Sequence, residues 1–320
     1  MVLRVTLIYI MDELSLTLGL QTATWLTPIM RGLSFLGQQE FFLVLIPIVF
    51  TLVSPRAGTR LAFVLLIGYA VNSTAKVAFH LPRPYWVDTR VAALATEVNY
   101  GLPSAHAQTI AVWLTVGSLI RRPWAWVALI TIAILVGVSR IYLGVHFAGD
   151  VLAGWALGIG LLVALAWLEA PVSAWIGRRT FGQRLGLSAA AAAAVVAAGA
   201  VTLAAVAGSP DPAAWARFSA EARSLGDFVS ASGALFGLCA GLALTARAGI
   251  VLEGASRRLR LIRFGLALAG ALVFWIGLKA VFPTEPEALG QVLRWVRYAL
   301  TTLWLAYGAM WLGDRLVGAV

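Results

Sequence analysis

Cysteine is almost absent from this chain. Cys239 is the only one in 320 residues, which excludes an internal disulfide and any multi-cysteine metal site. It lies in an apolar run, where packing accounts for it. Charge is scarce too: Asp, Glu, Lys and Arg make up 12% of the residues, against roughly 25% in soluble domains. With 61% hydrophobic residues and a mean hydropathy of +0.88, a soluble globular class is excluded and the chain belongs in a bilayer. A cleavable signal is not expected, because Asp12 and Glu13 break the first apolar stretch and no small-residue cleavage site follows.

What is present is a series of long apolar runs, each able to cross about 30 Å of hydrocarbon as a helix. Hydropathy predicts an all-α, polytopic transmembrane helical bundle of about nine spans, near 39–54, 61–80, 105–120, 123–139, 147–168, 188–207, 230–247, 264–282 and 297–313. Residues 1–38 mix apolar residues with Asp12, Glu13, Arg31 and Pro28, and are expected to lie in the interface as an amphipathic segment. The parse has an internal check, since Lys and Arg gather on the cytoplasmic side. One set of alternate loops holds thirteen of the 24 basic residues and three acidic ones, so the whole net charge of +10 falls on one face. That face is expected to be cytoplasmic, with the N-terminus outside. Scattered over short loops, these basic residues give no surface for nucleic acid, and no such partner is expected despite a pI near 10.6.

Three polar clusters interrupt the apolar pattern, all on the opposite face. The second span closes with Lys76-Val-Ala-Phe-His80-Leu-Pro82-Arg83-Pro84, two cations nearly two turns apart on one helical face before a proline stop. They suit an anion, or simply snorkel to headgroups. The third span opens with Pro103-Ser104-Ala105-His106, a helix start whose unpaired N–H groups favour an anion. His106 in its first turn is suited to protonating a leaving oxygen. Between the fourth and fifth spans runs Ser139-Arg140-Ile-Tyr-Leu-Gly-Val-His146-Phe-Ala-Gly-Asp150. His146 and Asp150 are four apart and share a face, so the carboxylate can take the Nδ1–H and leave Nε2 as base or nucleophile. Arg140 supplies a planar fork for phosphate oxygens. His80, the third histidine, reads as an interfacial residue.

In this order and spacing, Lys76-x6-Arg83-Pro84, Pro103-Ser104-Ala105-His106 and Ser139-Arg140-x5-His146-x3-Asp150 resemble the type 2 phosphatidic acid phosphatases, relatives of the vanadium haloperoxidases, over roughly residues 38–168. Alanine stands at Ala105 where that family usually has glycine; the backbone N–H survives the change. The resemblance implies a lipid phosphatase in which His146 forms a phosphohistidine, Asp150 orients it, and His106 protonates the departing oxygen and then activates water. Lys76, Arg83, Ser104, the Ala105 amide and Arg140 would hold the phosphate. No metal or other cofactor is expected.

The resemblance implies a lipid phosphate or diphosphate substrate, such as undecaprenyl diphosphate, phosphatidic acid or phosphatidylglycerol phosphate. The run Glu97-Val-Asn-Tyr100-Gly101-Leu-Pro103-Ser104 also looks like the sphingoid-base phosphate phosphatases. A phosphotransferase using the same phosphohistidine, and more remotely a non-catalytic transporter, stay open. The expected organisation is an interfacial segment 1–38, a catalytic membrane core 39–168 and a transmembrane extension 169–320, set in a cell membrane with the site facing the periplasm or exterior. The extension carries an alanine run, Ala189 to Ala194, and Gly233, Gly237 and Gly241 at four-residue spacing. Such small residues suit close helix contact within the chain, or a homo-oligomer. The outer loop 208–229 suggests a surface helix over the site, and Tyr85, Trp86 and Tyr100 either shape an entrance or belong to the interfacial belt.

Overall fold

The computed structural model describes residues 13–120, 122–219 and 221–318, and among these every regular element is helical. In chain order they are α1 (13–21), α2 (Thr27–Phe35), α3 (Gln39–Pro47, running on as a π turn), α4 (Pro55–Phe79), α5 (Pro84–Val87), α6 (Ala105–Gln108), α7 (Ile110–Leu119), α8 (Pro123–Tyr142), α9 (Ala148–Gly177) and α10 (Phe181–Val206). Then follow α11 (Ala216–Ser219), α12 (Gly226–Arg247), α13 (Arg257–Leu272), α14 (Leu278–Val281), α15 (Glu287–Leu303) and α16 (Ala309–Val317). Residues 1–12 of the expected interfacial segment lie outside the described residues.

Among the described residues six helices are long and apolar enough to cross a membrane, or seven if Thr24–Phe35 and Gln39–Val53, bent by 46° from one another, form one span. The expected count of nine is not reached, for two local reasons. At 105–120 the helix is broken after Gln108 into a four-residue and a ten-residue piece, too short at 1.5 Å per residue. The expected span 297–313 lies in a helical run from Glu287 to Val317 whose centre carries Arg297, Thr301, Thr302, Tyr307 and Gly308, which dilute its apolarity.

The chain forms two units. The first takes in residues up to Phe41, Val71–Val163 and Val201–Ser224; the second takes in Phe42–Ala70, Ala164–Ala200 and residues from Leu225 onward. In the first unit the N-terminal half of α9 lies against the 104–108 stretch. A Cβ on Gly154 would fall 2.5 Å from the Ser104 carbonyl oxygen, and one on Gly158 2.5 Å from that of Gln108, so glycine is what permits this approach. Asn72 of α4 donates to the Gln108 side chain at 2.7 Å, tying a third helix to the same point.

The second unit is built on small residues. Gly233 and Gly237 of α12 meet the backbone of α15 so closely that a Cβ would lie 2.4 Å from the Trp295 oxygen and 2.0 Å from the Ala299 oxygen. The Thr302 hydroxyl donates to the Ala234 carbonyl at 2.8 Å and Thr245 to Ala306 at 2.6 Å, bonds that add to van der Waals contact where lipid offers no hydrophobic drive. The glycine stripe therefore packs within the chain. Ser232 donates to the Ala192 carbonyl at 2.8 Å, giving the alanine run a similar partner. Arg263 of α13 and Asp314 of α16 make a buried ion pair, Nε to Oδ1 at 3.0 Å, which satisfies two charges that would be costly apart.

Replacing Gly237 by alanine forces α12 and α15 apart. We expect a loss of about 1–3 kcal/mol, the usual cost of overpacking, read as a lowered thermal midpoint in detergent; an unchanged midpoint would show that the two backbones do not touch there.

Candidate active site

The first unit brings the three sequence clusters together, and each is placed by ordinary local physics. Lys76 rides the last turn of α4. Beyond it His80 adopts φ +37°, a left-handed conformation that ends the helix and turns the chain into Leu81-Pro82-Arg83. His80 is partly exposed, with Nδ1 beside the Ala78 carbonyl and its ring edge-on to that of Tyr100, centroids 6.2 Å apart. Ser104 caps α6, its hydroxyl accepting from the Ala107 N–H at 3.4 Å, so Ala105 and His106 occupy a first helical turn. Asp150 is the third residue of α9, and its Oδ2 reaches back to accept from the Phe147 N–H at 3.0 Å, half of a capping box. The same oxygen lies 3.2 Å from His146 Nδ1. The Asp150 backbone is tied in as well, its carbonyl accepting from the Ser104 N–H at 2.9 Å.

Donor chemistry assigns the His146 tautomer. Arg83 Nη1 lies 3.1 Å from His146 Nε2, and a guanidinium only donates. Nε2 is therefore the acceptor, and the ring proton sits on Nδ1, aimed at Asp150. Arg83 itself is enclosed, and each of its five N–H groups has an acceptor. Nε donates to the Asn99 carbonyl at 2.6 Å, Nη1 to the Val145 carbonyl at 2.7 Å and to His146, and Nη2 to the Asn99 side chain and the Tyr100 carbonyl at 3.0 Å. Lys76 Nζ donates to the Tyr100 carbonyl, and to that of Gly101 at 3.2 Å. Arg140, also buried, donates to the Ser34 hydroxyl and pairs with Glu97.

Among the enclosed nitrogens with no hydrogen-bond partner are His106 Nε2 and Arg140 Nε. An unfilled donor or acceptor in a buried place is costly, and here the two belong to residues of different clusters. Lys76, Arg83, Arg140, Ser104, His106, His146 and Asp150 are thus gathered in one unit, with Ala105 beginning the helix that carries His106. Gly101 closes the floor: a Cβ there would meet the Pro82 oxygen at 2.7 Å and Asp150 Oδ2 at 3.0 Å. Among the described residues no three His, Cys, Asp or Glu side chains are grouped to hold a metal ion.

Spacing arguments missed five contributors. Glu97, Asn99 and the Tyr100 and Gly101 carbonyls come from the loop before α6, and Ser34 from α2. A carbonyl leaves no trace in side-chain pattern, and Glu97 is one carboxylate in a loop of mixed polarity. Its environment is nonetheless distinctive: burial by itself would raise its pKa, but Arg140, Arg83, His106 and Lys76 hold it at about 2. Glu97 is a fixed negative charge among these cations.

Residues 57–174 match the family model of the PAP2 superfamily, and residues 229–319 match the PAP2 superfamily phosphatase transmembrane extension. The chain is 30% identical over 149 residues to phosphatidylglycerophosphatase B of Bacillus subtilis, covering 42% of this chain and 71% of that protein. It is 31% identical over 104 residues to the undecaprenyl-diphosphatase of Sulfolobus acidocaldarius, covering 32% and 50%, and 29% identical over 139 residues to human sphingosine-1-phosphate phosphatase 2, covering 41% and 35%. It therefore spans half or less of the length of these last two relatives. A crystal structure of a transmembrane PAP2 type phosphatidylglycerolphosphate phosphatase from Bacillus subtilis aligns with 49% of this chain and 86% of its own, at 27% identity and a TM-score of 0.42. The chain belongs to the PAP2 superfamily. It is a multi-pass membrane protein and a lipid phosphatase of that type.

Burial, and after it the charges of Arg83, Lys76 and Arg140, hold the His146 imidazole well below its ordinary 6.5. In the ligand-free protein His146 is expected to stay neutral as the pH falls through 6.5. Carbon-13 histidine NMR, with the signal assigned by a His146→Gln variant, should show no titration of this ring between pH 8 and 6; a midpoint near 6.5 would contradict the enclosed cation-lined setting.

Proposed function

We propose that this lipid phosphatase works through a phosphohistidine on His146, at the outer membrane face. The observation behind this reading is the combination of a neutral His146, oriented by Asp150 and touched by Arg83, with enclosed and unpartnered nitrogens on His106 and Arg140. As the substrate phosphate arrives, its oxygens take the Arg83 donor now spent on His146 Nε2, and the ring lone pair is released toward phosphorus. The N–P bond forms while the P–O bond to the leaving group breaks, and His106, which takes up a proton as the negative phosphate offsets the neighbouring cations, gives that proton to the departing oxygen. His106 then takes a proton from water, whose oxygen attacks phosphorus and frees His146.

Lys76, Arg83, Arg140, Ser104 and the Ala105 N–H are the phosphate ligands in this scheme. Phosphoryl transfer asks chiefly for positioning and for stabilisation of spread negative charge, and three cations and a helix start supply both with no metal or other cofactor. Asp150 balances the positive charge that develops on the His146 ring. In this reading residues 1–38 are an interfacial segment, 39–168 the catalytic core and 169–320 an extension. The charge bias of the loops puts the site on the periplasmic or exterior side of a cell membrane. There a lipid phosphate lies at headgroup level with its tail leaving among the helices. The named relatives act on a phosphatidylglycerol phosphate, an isoprenoid diphosphate and a sphingoid-base phosphate, and this range defines the substrate class we propose.

Purified protein in detergent, free of divalent metal, is expected to release phosphate from at least one of undecaprenyl diphosphate, phosphatidic acid, phosphatidylglycerol phosphate and sphingosine phosphate. His146→Ala should release none; release by that variant would eliminate the phosphohistidine. His106→Ala should lose about 10²–10⁴-fold, the usual worth of a general acid. Much of that loss should return with a leaving group that needs no proton, such as p-nitrophenolate, and equal loss on both substrates would deny His106 this role.

A further inference from the structure

Residues 208–219 and 221–224 lie between the two stretches matched by the family models, yet they are built into the site's own loop. The join is at Tyr100, a fully buried ring. Its hydroxyl donates to Asp211 Oδ2 at 2.7 Å and accepts from Arg223 Nε at 2.8 Å. Arg223 completes the triangle, Nε to Asp211 Oδ2 at 2.8 Å and Nη2 to Oδ1 at 3.0 Å. It also ties the end of the segment back to its start, donating to the Val206 carbonyl at 3.0 Å and the Ser209 carbonyl at 2.7 Å. Farther along, the Phe218 ring stacks on Trp86, centroids 5.7 Å apart and planes within 10°, and meets Tyr85 edge-on at 5.7 Å. Tyr85 and Trp86 directly follow Arg83 and Pro84.

The other side of Tyr100 is what gives this strap a consequence. The carbonyl of the same residue accepts from both Lys76 and Arg83, and its neighbours Asn99 and Gly101 take further donors of those two cations. One residue thus connects the strap, through its side chain, to two phosphate-binding cations, through its backbone. Phe218 holds the other approach, the short α5 that begins beside Arg83.

We infer that this strap is a working part of the active site, in which Asp211 and Arg223 act through Tyr100 as positioning residues that preset Lys76 and Arg83 for the phosphate. Preset cations stabilise the transition state without reorganising as charge develops, so loosening them costs binding of the five-coordinate phosphorus more than binding of the tetrahedral ground state. Burial and the bond to Asp211 push the Tyr100 hydroxyl up to about 12, which keeps it protonated over any working pH. The inference rests on reading Lys76 and Arg83 as phosphate ligands.

The test uses the full chain with Tyr100→Phe, Asp211→Asn, Arg223→Gln and the double variant Tyr100→Phe/Arg223→Gln. Affinities for orthovanadate, which adopts the five-coordinate geometry, and for inorganic phosphate are read by calorimetry, beside the thermal midpoint and kcat/KM. Each single variant should weaken vanadate at least tenfold and phosphate by less than threefold, with kcat/KM falling in step with vanadate. The double should be no worse than the poorer single, because all act through one contact. Vanadate affinity within twofold of the unaltered protein in Tyr100→Phe and Arg223→Gln would overturn the inference. So would equal losses for vanadate and phosphate, or additive losses in the double. Binding does not depend on turnover, so the two readings separate. Strap-dependent vanadate binding without phosphate release would keep the strap and remove the proposed mechanism; release that survives unchanged in all four variants would do the reverse.

Discussion

Burying Arg83 constrains everything around it. A guanidinium taken out of water costs several kcal/mol unless its donors are met, and five N–H groups have to be met by acceptors placed in its plane. Asn99, Tyr100, Val145 and His146 supply them. The loop before α6 and the turn before α9 must therefore both arrive at Arg83, and the fold of the first unit is largely the means by which they do so. Four of the acceptors belong to scaffold. The fifth is His146 Nε2, the atom we propose as nucleophile, so this enclosed cation also caps His146.

Like charges compound the problem. Lys76, Arg83 and Arg140 converge on one place, where low dielectric strengthens their mutual repulsion. Carbonyl oxygens absorb part of it, and Glu97, ionised and paired with Arg140, absorbs more. The arrangement remains deficient in negative charge, and in the proposed function an arriving phosphate completes it. Stabilisation of the empty protein and recognition of the substrate thus draw on the same electrostatics, a combination available to a site that needs positive charge held still rather than groups that move.

The second unit obeys a different rule. In lipid, helices gain little from burying apolar side chains against each other, so α12 and α15 associate through glycine, alanine and threonine at backbone distance. The buried Arg263–Asp314 pair follows the logic of the active site with the opposite outcome. Its two charges neutralise each other locally, leaving nothing for a ligand to complete.

Composition alone determined that the chain lives in a membrane, and charge bias gave the orientation we propose, because both depend on sums over many residues. The three motifs were legible for a related reason: each sits at a helix end, where capping residues, prolines and i,i+4 spacing act over a few positions. Lys76, Arg83, His106, Arg140, His146 and Asp150 could be read that way, and the structure gathers them. The span count could not, since a break such as the one after Gln108 depends on what the neighbouring helices offer. Nor could the carbonyls of Asn99, Tyr100 and Gly101, the placement of Ser34 and Glu97, or the attachment of Asp211 and Arg223 to Tyr100. Backbone acceptors carry no side-chain signature, and Tyr100 and Arg223 are 123 positions apart. Only the packed chain decides which distant groups meet, because the cost of a buried unpaired charge is settled in space, after the helices have come together.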